Sequence, residues 1–422
     1  MRSLLDAPYR LALKASKRAL GMNAKNYVRN ATIVTLSHGV SILRGIVSGY
    51  LVARLFPRGL YGEYQFLQSV FGSLTFLSVP GIDKSLPRAI ARGEKGALKR
   101  IFRWHVLACL SGSAVLLGCT ALLPTFGHPE LWPYFLLAAV LFPISQSAST
   151  LFGGIVSGEG RFGLSLKANI TWSILMVIAT LLIVFGLPSA GLLFIVSLAL
   201  PAISYLWFSK GYMPKDDPSI STKPIIRYAW QMTIVSLPNY LSTYADKLLI
   251  SVFLGMNQLA VFSVGILIPE QVKTWTKELL PVSLASQAKG EDTFKRRRAL
   301  LIVVGRLTVL SILPVILYIV LAPAIFHLLL PNYPDAIFLS QIAACFLLLQ
   351  PSALCIQYME AQAMVKEIRW TQWLGAAIYV GSLVILLPIF GLVGAVIGRG
   401  MLRVGYALCS IFFLLKPPAQ KP

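Results

Sequence analysis

The chain has 422 residues, of which 56% are hydrophobic and only 13% charged, and its formal net charge is +22. A soluble chain of this length carries about twice that charged fraction, so composition excludes an ordinary soluble enzyme and points to an all-α, polytopic integral membrane protein. The five cysteines (Cys109, Cys119, Cys345, Cys355 and Cys409) sit inside apolar runs with neither CxxC nor framework spacing, which argues against a disulfide scaffold or a thiolate metal site.

The first thirty residues, MRSLLDAPYRLALKASKRALGMNAKNYVRN, are basic and mildly amphipathic. No short apolar core followed by a cleavage site is present, so residues 1–30 read as a segment lying on the cytoplasmic membrane surface rather than as a cleaved signal. Beyond them, about 20 apolar residues suffice for one helical crossing. That rule gives about twelve transmembrane helices: 31–54, 63–86, 103–124, 131–157, 164–186, 189–208, 228–254, 257–286, 299–322, 336–364, 370–389 and 391–415. Alternate connections are basic, notably 88–103, 209–227 and 287–298. The opposite set (PTFGHPELW, GLPSA, GMNQ, PNYPDA and FGL) is nearly free of positive charge, with Arg58 the clear exception. The positive-inside rule puts both termini and the basic loops in the cytoplasm. That accounts for most of the net charge through contact with anionic headgroups, without nucleic acid.

The most polar interior connection, 209–227, divides the spans six and six. An N-lobe over 31–208 and a C-lobe over 228–416 would then enter the membrane in the same orientation, as parallel repeats do. ARLFPRGLYGEY (53–64) lies over SVFLGMNQLAVF (251–262) without a gap, each a helix end, a tight turn and a helix start.

Several spans carry charge. Arg44 lies about 20 Å along the first helix by rise per residue, too deep for easy snorkelling, and burying it in hydrocarbon costs at least a few kcal/mol. The seventh span has Asp246 and Lys247, the eighth Glu270, Lys273, Lys277 and Glu278 on one face, the ninth Arg306, the tenth Glu360, and the twelfth Arg399 and Arg403. For Arg54, Lys277, Glu278 and Glu360 a snorkelling end or structural ion pair is the simpler reading. For Lys247, Lys273, Arg306 and Arg399 a water-filled cavity and internal pairing compete evenly. Cations outnumber acids by a few, and arginine does not readily deprotonate, so a surplus must find an anion. Guanidinium groups match phosphate oxygens in bidentate geometry. The expectation is a cationic cavity of Arg44, Lys247, Lys273, Arg306 and Arg399 that holds an anionic cargo such as a phosphate.

ARLFPRGLYGEY, followed by a helix ending in VPGIDKSLPRAIARGE, resembles the first two helices of the polysaccharide flippases. ADKLLISVFLGMNQLAVFSVG resembles the start of that family's second half, and GGIVSGEGRFG its loop after helix four. The first turn departs from the pattern, with Pro57 where glycine is usual and Arg58 where proline is usual. The family belongs to the multidrug/oligosaccharidyl-lipid/polysaccharide exporter superfamily, abbreviated MOP. The resemblance implies two six-helix lobes forming a V around a central cavity lined by helices one, two, seven and eight. It further implies an undecaprenyl-diphosphate-linked glycan turned over from the inner to the outer leaflet of the bacterial inner membrane by alternating access. That places the chain in O-antigen, capsule or exopolysaccharide synthesis, beside membrane lipids, glycosyltransferases and a polysaccharide polymerase as partners.

Other motifs carry less. GEGRFG (158–163) matches a dinucleotide fingerprint but sits between two spanning helices rather than in a βαβ unit. Asn30 and Asn169 head glycosylation sequons on the expected cytoplasmic side. The four histidines, His38, His105, His128 and His327, share no metal spacing. No cofactor, metal or catalytic constellation is expected. A cation-coupled multidrug exporter of the same superfamily is the alternative, but such a pump should hold surplus acid in its cavity. A membrane polysaccharide polymerase or ligase needs a larger outer loop than any here. With no nucleotide motif, a proton or sodium gradient or the membrane potential is left to drive turnover, with Asp246, Glu270 and Glu360 as the groups for ion coupling.

Overall fold

A computed structural model describes residues 24–122, 129–212, 215–287, 293–362 and 364–416, with no side-chain description for 24–28, 30, 31, 122, 274–287 and 365. The basic segment 1–23 and His128 lie outside these, as do the side chains of Lys277 and Glu278. Every regular element among the described residues is helical. The chain begins with α1 (Ala24–Leu55). Pro57 then fixes the turn, and α2 (Arg58–Leu74) passes through a 3₁₀ turn into α3 (Ile82–Ala91). Next come α4 (Leu98–Leu122), α5 (Trp132–Glu159), α6 (Phe162–Gly186) and α7 (Ala190–Ser209). The second half holds α8 (Lys223–Phe253), α9 (Met256–Gln287), α10 (Phe294–Leu329), α11 (Ala336–Cys345), α12 (Ala353–Ala361) and α13 (Val365–Leu415).

With α2–α3 taken as one broken span, α11–α12 as another and α13 as two, the described residues form twelve spans. The break in α13 is at Gly391, whose φ of 57° and ψ of −134° suit a residue without Cβ. The two arms then fold back on one another, since a Cβ on Gly398 would lie 3.5 Å from Leu383. The fold is therefore the all-α, twelve-span membrane architecture expected from sequence. Two differences have a local cause. The second span breaks at Val79–Gly81, around Pro80, and the tenth runs as 3₁₀ helix over Phe346–Ser352, which contains Pro351.

Eight of these helices are long and apolar enough to cross a membrane by composition alone. Broken span α2–α3 and helices α8 and α9 do not meet that test. They are the elements that bring the two halves together. A Cβ on Gly81 would lie 1.9 Å from the Ala229 carbonyl of α8, and the Gly81 N–H donates to Thr233 Oγ1 at 3.0 Å. The other spans turn Leu182, Leu310 and Leu313 outward, as lipid contact requires. At the end away from the basic loops, Phe56 and Tyr61 of the first half share one core with Phe262, Phe326, Tyr333 and Leu387 of the second. Arg58 latches that end: its Nε donates to the Asn332 carbonyl at 2.8 Å and its Nη1 pairs with Asp335 at 3.1 Å.

Candidate functional site

On α1 the run Arg44-Gly45-Ile46-Val47-Ser48-Gly49 puts small residues beside a long cation. Gly45, Ser48, Gly49 and Arg44 all line one cavity of about 410 Å³. The far wall is α2, where Gln65 and Gln68 sit on the same face, and Tyr244 and Lys247 of α8 close it. The Arg44 guanidinium lies over the Trp172 ring of α6, 3.8 Å from its centroid. That ring is held in place from behind: Trp172 Nε1 donates to Asn169 Oδ1 at 2.9 Å, and Asn169 Nδ2 donates to Ser37 Oγ at 2.6 Å. Asn169 is thus a packing residue between α1 and α6. Arg44 Nε is buried without a partner, and among the described residues no carboxylate pairs with this side chain. Among the same residues, Lys247 lacks an acid for its ammonium group. Its Nζ donates to the neutral Gln65 Oε1 at 2.8 Å. Two cations therefore face one cavity against amides, hydroxyls and rings. A cation–π contact contributes about 2 kcal/mol when desolvated and does not neutralise charge.

The second half settles its charges differently. Asp246 is fully buried and takes Arg399 Nη1. Arg399 Nε also reaches Glu270 Oε1 at 3.2 Å. Glu270 further accepts from Arg403 Nη2 at 2.7 Å and from Lys273 Nζ at 2.8 Å. Arg399 and Arg403 share a helix face by their four-residue spacing, which lets one carboxylate bridge both. Glu270, Lys273, Arg399 and Arg403 of this network line a second cavity of about 500 Å³, together with Glu360, Gln350, Gln372, Tyr379 and Tyr406. The Glu360 carboxylate lines it with no hydrogen bond or ion pair among the described residues.

The expected cationic set is thus divided. Arg44 and Lys247 come together in the first cavity, and Lys273 and Arg399 join Asp246, Glu270 and Glu360 in or beside the second. Arg306 joins neither. It is exposed on α10 among the exposed Val303, Leu307, Val309 and Leu310. His38 is half-buried on α1 and lines neither cavity. Sequence reasoning missed Gln65, Gln68 and Trp172. The two glutamines three residues apart in an apolar span were the available signal for the first two. Trp172 has none, because an aromatic in a spanning helix is ordinary.

The sequence matches the family described as Polysaccharide biosynthesis protein over residues 27–267. No curated protein sequence is a significant match. Among solved structures, the chain is similar to an inward-facing multidrug resistance MATE family transporter of the MOP superfamily, at 16% identity over 91% of this chain and 93% of that one, with a TM-score of 0.64. The outward-facing conformation of such a transporter is matched at 15% identity over 92% and 94%, with a TM-score of 0.61. A MOP superfamily transporter from Pyrococcus furiosus, whose binding pocket is described as reversed in polarity and suggestive of a different function, is matched at 16% identity over 92% and 94%, with a TM-score of 0.63. The family match covers more than half of the chain, and the structural matches give its fold. The chain is a multi-pass membrane protein belonging to the polysaccharide biosynthesis protein family, built on the fold of the MOP superfamily transporters.

Proposed function

We propose that this protein translocates undecaprenyl-diphosphate-linked oligosaccharide repeat units across the bacterial inner membrane, for O-antigen, capsule or exopolysaccharide synthesis. The observation that carries this reading is the first cavity. Arg44 and Lys247 face it without a carboxylate among the described residues, and family membership supplies the polysaccharide context. An uncompensated guanidinium in low dielectric favours an anionic ligand, and a diphosphate offers the bidentate oxygens it fits. The lobes 31–208 and 228–416 would rock about the 209–227 connection, with both termini cytoplasmic, to expose the cavity to one leaflet and then the other. Glycosyltransferases would deliver the cargo and a polymerase would receive it.

A multidrug exporter of organic cations would need surplus acid where the first cavity carries surplus cation, so the chemistry disfavours that alternative. A polymerase or ligase reading gains no support from the first cavity, whose lining holds no carboxylate or histidine to act as general base. Of the carboxylates considered for ion coupling, Asp246 and Glu270 are held by cations, so Glu360 is the group left to load and release a coupling ion. The transport assay uses vesicles reconstituted with the protein and a fluorescent lipid-linked oligosaccharide. Wild type should turn the lipid over and Arg44→Ala should slow it severely. Equal rates would remove Arg44 from the mechanism, and export of an organic cation instead would favour the alternative.

A further inference from the structure

The second cavity has features that the diphosphate reading leaves unexplained. Its charges balance in number: among the described residues Lys273, Arg399 and Arg403 pair with Asp246 and Glu270, and the unpaired Glu360 carboxylate lines the same cavity. A diphosphate gains little there from net charge. What the cavity does offer is unused neutral hydrogen-bonding capacity. The side-chain amides of Gln350 and Gln372 and the Tyr406 hydroxyl line it and make no hydrogen bond among the described residues, and Gln372 Oε1 is buried. Arg403 Nη1 is likewise buried without a partner. Buried polar atoms without partners are costly, and Gln372 Oε1 and Arg403 Nη1 are two such atoms on one cavity of about 500 Å³, which calls for a ligand. Amides supply donors and acceptors together, and each sugar hydroxyl is both. Tyrosine adds an apolar face for the C–H side of a ring and a polar tip. Backbone geometry agrees, since Gln350 projects from the 3₁₀ stretch Phe346–Ser352, and irregular backbone at membrane depth is tolerated where it lines a cavity.

The two cavities also adjoin. On α9, Leu267 lines the first and Glu270 the second, a separation of about 4.5 Å along the axis at the helical rise. On α8, Tyr244 and Thr243 divide in the same way.

We propose that the second cavity is a saccharide subsite: it takes hydroxyls of the glycan while the first cavity takes the diphosphate to which that glycan is linked. This rests on the function proposed above and assigns the specificity for the sugar to Gln350, Gln372 and Tyr406. A site built to hydrogen-bond hydroxyls discriminates strongly against ligands that lack them.

The test compares two probes on the full chain in nanodiscs. One is synthetic undecaprenyl diphosphate, without sugar. The other is the lipid-linked oligosaccharide pool that accumulates in cells lacking this gene. Wild type should bind the glycan-bearing lipid at least about tenfold more tightly, equivalent to about 1.4 kcal/mol. In Gln350→Leu/Gln372→Leu that ratio should fall towards one. Tyr406→Phe, which removes a single oxygen, should lower it part of the way, with melting temperature verifying the fold of each variant. A wild-type ratio of one, or a ratio unchanged in folded variants, overturns the subsite. Failure of the parent reading looks different: neither lipid binds wild type, and the subsite falls with it.

Discussion

The first cavity keeps Arg44 and Lys247 on amides and an aromatic face, whereas the second gives its cations carboxylates, with Glu270 alone serving Lys273, Arg399 and Arg403. Both lie in the same α8–α9 neighbourhood and both carry charge, yet they answer different physical demands. A paired ion cluster ties helices together and loses stability when one partner is removed. An unpaired cation adds little to the folded state and is expensive to keep unless a ligand uses it. The contrast separates residues that tie helices together from the two proposed to hold the diphosphate, and substitutions in the two cavities should fall into those two classes.

The largest effect is expected from Arg399→Ala. It leaves Asp246 buried and without its cation, which costs about 3–5 kcal/mol for a broken buried pair. Thermal denaturation in detergent should record a large drop, and Asp246→Asn combined with Arg399→Gln should recover much of it. Next comes Arg44→Ala. Diphosphate affinity should fall by about 1.5–3 kcal/mol, the range for hydrogen bonds to a charged group, while stability falls by no more than the lost contact with Trp172, about 2 kcal/mol. A melting loss as large as that of Arg399→Ala would erase the distinction between the cavities. Lys247→Met should follow the same pattern with a smaller loss of affinity, about 1 kcal/mol, because an ammonium is a point charge without the planar fork. Arg306→Gln is the sharpest control: exposed on α10 and lining neither cavity, it should change stability and binding by less than about 0.5 kcal/mol.

Much of the fold was legible in the sequence because bilayer thickness imposes a length and hydrocarbon imposes a composition. The hairpin at Gly391 was readable from a short FGL turn between two apolar runs, even though the helix α13 runs through it by backbone hydrogen bonding. The breaks at Pro80 and Pro351 were less legible, because proline is tolerated inside spans whose neighbours satisfy the freed groups. At the site, the depth of Arg44 along α1 is enough to single it out from the sequence. Charge pairing was another matter. Nothing in the local sequence of Glu270 says that Arg399 and Arg403, more than a hundred residues away, share its oxygen. Arg306 shows the converse limit, since a cation inside a spanning helix faces outward here and only the helix's rotation decides which side it takes.

On the proposed function, Arg44 and Lys247 together hold the diphosphate. Calorimetric titration of undecaprenyl diphosphate into the protein in neutral nanodiscs tests it directly, with wild type beside Arg44→Ala/Lys247→Ala. Wild type should bind clearly, and a folded double variant should lose that binding. Binding of equal strength to both proteins would contradict that assignment.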